Sequence, residues 1–236
     1  RHDRSLRQAR SCAKDPAMRS SAALAATLGC LALAFPAQAH AAGQKAAQPS
    51  ANCVAIGIPV PNLGFAYEHV ESTGRRSQYT QYWESVTPTA SRVRIVKPGE
   101  TLIQSSVYQV VNDVSVLGKM TKARGSQVIE TTEFRPGLLG DPFSHACSGK
   151  SWPIPSVTAH FTGSPSASAQ TPAGSLTIVG IREKVTVPAG TFETVRYVRT
   201  SQSRDEYWKS TQHGVIVKHV ATVMGQVVTE VLIAIK

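Results

Sequence analysis

The chain has 236 residues, 42% of them hydrophobic and 17% charged, enough for one folded domain or two small ones around a real core. Its formal net charge is +10, but residues 1–41 hold six of the 25 basic and two of the 15 acidic residues, which leaves the remainder at +6. That remainder scatters its basic side chains singly or in small groups, as at Arg75 and Arg76 or at Lys119, Lys122 and Arg124, and so excludes nucleic acid as a partner, because binding there needs cations gathered on one face beside stacking aromatics.

Residues 1–17 read as sequence upstream of the natural start. Met18 then opens MRSSAALAATLGCLALAFPAQAHAAG, with basic Arg19, an apolar stretch from Ala22 to Phe35, and small residues at Ala37, Ala39 and Ala41. This is the layout of a secretory signal peptide over residues 18–41, cut after Ala39 or Ala41. The apolar stretch is too short to span a bilayer, so no transmembrane span is expected once the leader is removed. Cys30 does not fit a lipid-anchor signal, since Thr27 stands where a leucine is usual and the apolar run continues past the cysteine. The expected location is the periplasm, with the extracellular medium as the alternative.

Two cysteines, Cys53 and Cys147, follow the leader. In an exported chain such a pair is most simply one disulfide. A catalytic cysteine would want a C-x-x-C partner or a placed histidine, and neither pattern is present. Residues 42–64 are small, polar and turn-prone and read as an extended tether.

From residue 65 to 236 the pattern is that of an antiparallel β domain. Short runs rich in Val, Ile, Thr, Tyr and Phe alternate in character and are separated by Gly, Pro, Asn and Asp, as in GFAYEHVES, SQYTQYWESV, SRVRIVKP and TLIQSSVYQVV. NDVSVLGKMTK reads as a turn and a short strand, and SQVIETTEF as the next strand. Residues 138–155, LLGDPFSHACSGKSWPIP, look too rich in Gly, Pro and Ser for a long regular element and are expected to lie across an opening of the sheet. After VTAHFTG, the insert SPSASAQTPAGS reads as a long exposed hairpin loop. Further strands are expected at SLTIVGIREKVTV, TFETVRYVRT, DEYWKST and GVIVKHVAT. In the last one, QVVTEVLIAI, alternation places Val227, Val231, Ile233 and Ile235 on one side. The expected fold is mostly β, a single curved antiparallel sheet or partly open barrel preceded by a disordered or helical leader.

The stretch VTVPAGTFETVRYVR carries a structural turn. Pro188 fixes its backbone angle and Gly190 supplies a positive φ that a tight reversal requires. Taken with Tyr207 and Trp208 and the Gly214–Val215 turn, this V-x-V-P-A-G-T-F hairpin resembles the C-terminal half of exported bacterial proteins of the DUF3108-like type, a family without an assigned activity. The likeness extends over residues 175–236. It implies a curved antiparallel sheet and some similarity to periplasmic lipoprotein carriers with a concave apolar face.

Side chains for chemistry are sparse. His69, His145, His160, His213 and His219 form no H-E-x-x-H or H-x-H pattern, so no metal or other cofactor is expected. Asp141, Ser144 and His145 are close in sequence, yet G-x-S-x-G is missing, and Glu68–His69 or Glu130 and Glu133 would point to opposite faces of a strand. Asp205 and Glu206 read as solvent-facing charge. The chain therefore reads as a non-enzymatic cell-envelope protein, with hydrolase activity the weakest alternative. Tyr82, Trp83, Trp152, Tyr207 and Trp208 are the candidate ligand-lining residues: they either line a cleft for a lipid or other apolar small molecule or fill the core. In the second case the chain is a structural module whose partner is another cell-envelope protein.

Overall fold

The computed structural model describes residues 51–163, 167–223 and 225–236. The upstream segment 1–17, the leader 18–41 and the first part of the 42–64 stretch lie outside the described residues. Every regular element described is a strand, and no helix among the described residues is long and apolar enough to cross a membrane.

The strands are β1 (Cys53–Ala55), β2 (Gly64–Glu71), β3 (Arg76–Val86), β4 (Ala90–Val96), β5 (Leu102–Val111) and β6 (Val114–Arg124). They continue with β7 (Gln127–Pro142), β8 (His145–Cys147), β9 (Ser151–Ile154), β10 (Val157–Thr162) and β11 (Ala167–Thr171). The C-terminal run is β12 (Gly174–Val187), β13 (Gly190–Thr200), β14 (Arg204–Ser210), β15 (Ile216–Val223) and β16 (Gln226–Ile235). Fourteen of them form one open antiparallel sheet in the order β11-β10-β7-β6-β5-β4-β3-β2-β16-β15-β14-β13-β12-β9. Two meanders, β2 to β7 and β12 to β16, are thus fused where β16 pairs with β2, and the edge strands β11 and β9 do not pair with each other. β1 and β8 form a separate two-stranded sheet in which Cys53 lies opposite Cys147, and those two residues are joined by a disulfide.

Local chemistry sets the reversals. Asn112 and Asp113 both have positive φ, 52° and 67°, the two-residue turn whose twist matches an antiparallel hairpin. Pro188 and Ala189 join β12 to β13, and Gly190 enters β13 at φ 137°, an angle that favours glycine.

Several expectations change. In the stretch read as an extended tether, Cys53–Ala55 form β1 and Ile56 is buried in a core cluster. Residues 138–155 are largely regular: β7 runs on to Pro142, and β8 and β9 follow. Gly140 permits this, because a side chain there would run into Ser115 on β6, so the glycine serves close packing and does not interrupt the strand. The insert after β10 is partly a strand, since β11 pairs with β10 from Val157–Thr171 to Phe161–Ala167, while residues 164–166 lie outside the described residues. In β16 the buried residue is Leu232, whereas Val227 and Ile235 are 44% and 37% exposed. Up to Leu232 the even-numbered Glu230 and Leu232 lie opposite His69 and Tyr67, and a bulge between Leu232 and Ala234 then shifts the register against β2 so that Ile235 comes opposite Phe65.

Two apolar clusters hold the sheet in its curve. One joins Phe65, Tyr67, Trp83, Val93, Val217 and Leu232 with Val187 and Phe192 of the β12–β13 hairpin. The other joins Val114 at the start of β6 to Trp152, Ile154, Leu176, Ile178, Val195 and Tyr197 from the far end of the sheet, together with Ile56 and Ala146. Distant parts of the sheet meet there, so the sheet is a trough folded over its own concave face.

Candidate functional site

Register defines the concave face. Tyr197 lies opposite Tyr207, Tyr207 opposite His219, His219 opposite Glu230, Glu230 opposite His69 and His69 opposite Ser77, one continuous row across six strands. Residues two positions away share that side, which adds Val217, Leu232, Tyr67, Phe65 and Tyr79. Tyr197, Tyr207 and His219 stack in sequence along the row, with ring centroids 4.9 and 4.2 Å apart.

At the closed end of the trough a lysine and a carboxylate meet across it. Lys209 of β14 is 2% exposed, is in ion-pair contact with Asp141 of β7, and donates a further hydrogen bond to the Pro142 carbonyl at 2.7 Å. The Ser115 hydroxyl donates to the other Asp141 oxygen, and the Asp141 backbone N–H donates back to Ser115 Oγ at 2.9 Å. Five tyrosines gather round this pair and Glu230. Burial pushes the Tyr67, Tyr79 and Tyr197 phenols well above their ordinary range, and the nearby carboxylates add to this: Glu230 for Tyr67 and Tyr79, Asp141 for Tyr197. Tyr108 is raised to about 12 by burial and then by Asp141, and Tyr207 is raised by burial and then by Asp205.

The other half of the trough is open and polar. A cleft of about 590 Å³ is lined by His69, Glu71, Arg75, Ser77, Gln78, Tyr79, Lys97, Pro98 and Glu100. The ring of Tyr79 stacks on Tyr67 with centroids 5.1 Å apart, and His69 Nδ1 stands 3.7 Å from Glu230 Oε2. Lys97 and Glu100 pair across its rim at 3.8 Å.

The structure does not bring the five aromatic candidates together. Trp83 packs in the cluster of Phe65 and Leu232, while its neighbour Tyr82 lies on the opposite face with the Arg94 guanidinium 4.7 Å from its ring centroid. Tyr207 stacks on the concave side; Trp208 packs against the cluster that includes Val187 and Phe192, with Lys218 over its ring at 4.9 Å. Trp152 belongs to the second cluster, and its indole N–H donates to the Asn112 carbonyl at 3.3 Å. Asp205 and Glu206 are not plain solvent-facing charge: their side chains are 14% and 25% exposed, and they face His219 and the Arg196 and Arg204 guanidiniums. Sequence reading passed over His69, Tyr79, Asp141, Lys209 and Glu230 as a group. Only the period-two alternation of His69 with Tyr67, and of Tyr79 with Ser77, signalled a shared face.

The nearest approach to a nucleophile and base is at the β7–β8 connection. Ser144 Oγ donates to Asp113 Oδ1 at 2.5 Å and lies 2.9 Å from His145 Nδ1. The same imidazole nitrogen is the one nearest Asp113, at 3.9 Å, so the histidine does not bridge acid and hydroxyl through its two nitrogens as a triad requires. Asp113 also accepts the Ser144 backbone N–H at 3.1 Å, which makes the group a turn clamp. No three His, Cys, Asp or Glu side chains come together as a metal site among the described residues.

The fold and trough define a class, an open, single-sheet antiparallel β protein with a disulfide-linked β1–β8 ribbon. No protein-family model matches the chain, and no curated protein does. Among solved structures the chain is similar to an exported protein with a YmcC-like fold from Bacteroides fragilis, at 11% identity and a TM-score of 0.42, over 78% of this chain and 100% of that one. The likeness is therefore a distant one to an exported bacterial protein of that fold, and the narrower DUF3108-like or lipoprotein-carrier assignment has no match behind it.

Proposed function

We propose that the chain is an exported, non-enzymatic protein of the cell envelope that holds a small ligand in the open half of its trough. The leader-like residues 18–41 and the Cys53–Cys147 disulfide support an oxidising, extracytoplasmic site of action, the periplasm first and the extracellular medium second. The observation that carries the binding reading is the 590 Å³ cleft with Tyr79 fixed in its wall. Phe65, Trp83, Val217 and Leu232 fill the apolar part of the concave face with the protein's own side chains. The ligand is accordingly polar, or a lipid held by its polar head.

Native mass spectrometry of protein exported through its leader, followed by extraction and identification of bound molecules, tests this. A stoichiometric polar or amphipathic ligand supports the reading. An apo mass together with no thermal shift in an envelope metabolite panel sinks it.

One observation favours a structural, protein-binding role instead. Edge strand β11 (Ala-Ser-Ala-Gln-Thr) is exposed over residues 167–170 and carries neither charge nor proline, whereas the opposite edge, β9, contains Pro153. Such an edge accepts an added strand from another envelope protein. Crosslinking from a photoreactive residue at Ser168 in intact cells distinguishes this role by whether a defined partner is captured.

A further inference from the structure

We infer that the open cleft takes an uncharged carbohydrate, an inference that rests on the proposed binding role and names its ligand class. The lining has two cationic side chains, Arg75 and Lys97, against two carboxylates, Glu71 and Glu100. Formal charge therefore balances. A phosphate or sulfate site needs a surplus of positive donors, a divalent cation needs converging carboxylates, and an acyl chain needs apolar walls. None of these fits a lining whose charges cancel and whose remaining members are mostly hydrogen-bonding groups.

Neutral, densely hydrogen-bonding surroundings match a polyhydroxylated ring. Each sugar hydroxyl both donates and accepts, so vicinal hydroxyls engage carboxylates, which only accept, and guanidinium or ammonium groups, which only donate. Glu71, Glu100, Arg75 and Lys97 provide both kinds within one cleft, and Ser77 and Gln78 supply groups that do either. The second requirement of a sugar is a flat apolar surface for the C–H face of its ring. Tyr79 provides it, and its stack on Tyr67 holds it in place before any ligand arrives. The volume lies within the roughly 300–1,000 Å³ of small-molecule sites.

Saturation-transfer NMR on the disulfide-intact exported protein is the test, with an N-acetylglucosamine tetramer and a β-1,4-glucose tetramer as probes and, in parallel, inorganic phosphate and phosphatidylglycerol vesicles. Saturation of sugar ring protons is expected, with at least tenfold weaker binding in Tyr79→Leu and also in Arg75→Ala. Arg75 is an exposed turn residue, so its variant keeps the result interpretable if the Tyr79 variant unfolds. Affinity should change little between about 0.05 M and about 0.5 M salt, because a neutral ligand has no net charge to screen. Phosphate or vesicle binding that the Arg75 variant abolishes, with no sugar signal, overturns the carbohydrate assignment and leaves the cleft as a ligand site. Absence of binding by every probe, with an apo native mass, overturns both.

Discussion

Removing the Lys209 ammonium should be among the most damaging single changes to the fold. The Lys209 side chain is 3% exposed and that of Asp141 21%, and Lys209 donates both to that carboxylate and to the Pro142 carbonyl. In Lys209→Met the volume is nearly kept, so the cost is electrostatic. Asp141 retains only Ser115 as a side-chain donor, and the carbonyl loses its bond. Breaking one partner of a buried pair costs about 3–5 kcal/mol, and the one-fifth exposure of Asp141 puts this case at the lower end, about 3 kcal/mol. Asp141→Leu should cost a similar amount by stranding the ammonium. Lys209→Met/Asp141→Leu removes both charges together and should recover at least about 2 kcal/mol of the summed losses. Urea unfolding followed by tryptophan fluorescence, with all four proteins at equal m, reads these differences. Single-variant losses under about 1 kcal/mol, or strictly additive losses in the double variant, would refute the view that the pair pins β7 to β14 across the trough.

Three other perturbations bear on separate parts of the fold. The buried phenols bind protons more tightly in the folded than in the unfolded chain, so their contribution is complete below pH 10 and is lost as pH rises from there. For Tyr108, raised from 10 to about 12, the loss is about 3 kcal/mol. Stability measured from pH 8 to 12 should fall steeply above pH 10; a flat profile would contradict the buried tyrosine cluster. Reducing the Cys53–Cys147 bond should lower stability by about 2–4 kcal/mol because it releases a 94-residue separation, and thiol counting on the non-reduced mature protein should find no free thiol, with two as the contrary result. Gly190→Val should cost about 1–3 kcal/mol through its φ of 137°, since the nearest side-chain atoms, on Phe192, are 3.8 Å away and leave room; an unchanged melting temperature would remove the turn argument.

Strand identity was legible because period-two alternation and turn residues are local properties. Val93 against Arg92 and Arg94, or Gly190 after Pro188, each state their role within a few residues. Other features depended on distant partners. The GLLGDP segment resembles a loop by composition, yet it continues β7, because Gly140 lies against Ser115 some 25 residues earlier and Asp141 is met by Lys209 on a strand eight places away in the sheet. A glycine selected for close approach and a glycine selected for a turn are identical letters. The end of β16 was hidden for a related reason: a single bulge after Leu232 takes Ile235 out of the alternation that Val227 and Val231 begin and sets it opposite Phe65, and nothing in QVVTEVLIAI marks it.

The aromatic candidates show a limit that the sequence itself contained. Tyr82–Trp83 and Tyr207–Trp208 are adjacent pairs on strands, so one member of each must face away from the other, and no single face can use all four. Alternation alone therefore sets the two members of each pair on opposite faces, as with Trp83 in the core and Tyr82 beneath Arg94. The concave row from Tyr197 to Ser77 required pairing register as well, and register across six strands arises from the hairpin turns and the β16–β2 junction acting together. That explains why the polar cleft at Tyr79 was invisible beforehand: its lining comes from β2, the β2–β3 turn, β3 and the β4–β5 turn, and each contributes residues that look like ordinary exposed polar side chains when taken alone. The proposed ligand site thus depends on where the trough stays open, a property of curvature and closure more than of any motif.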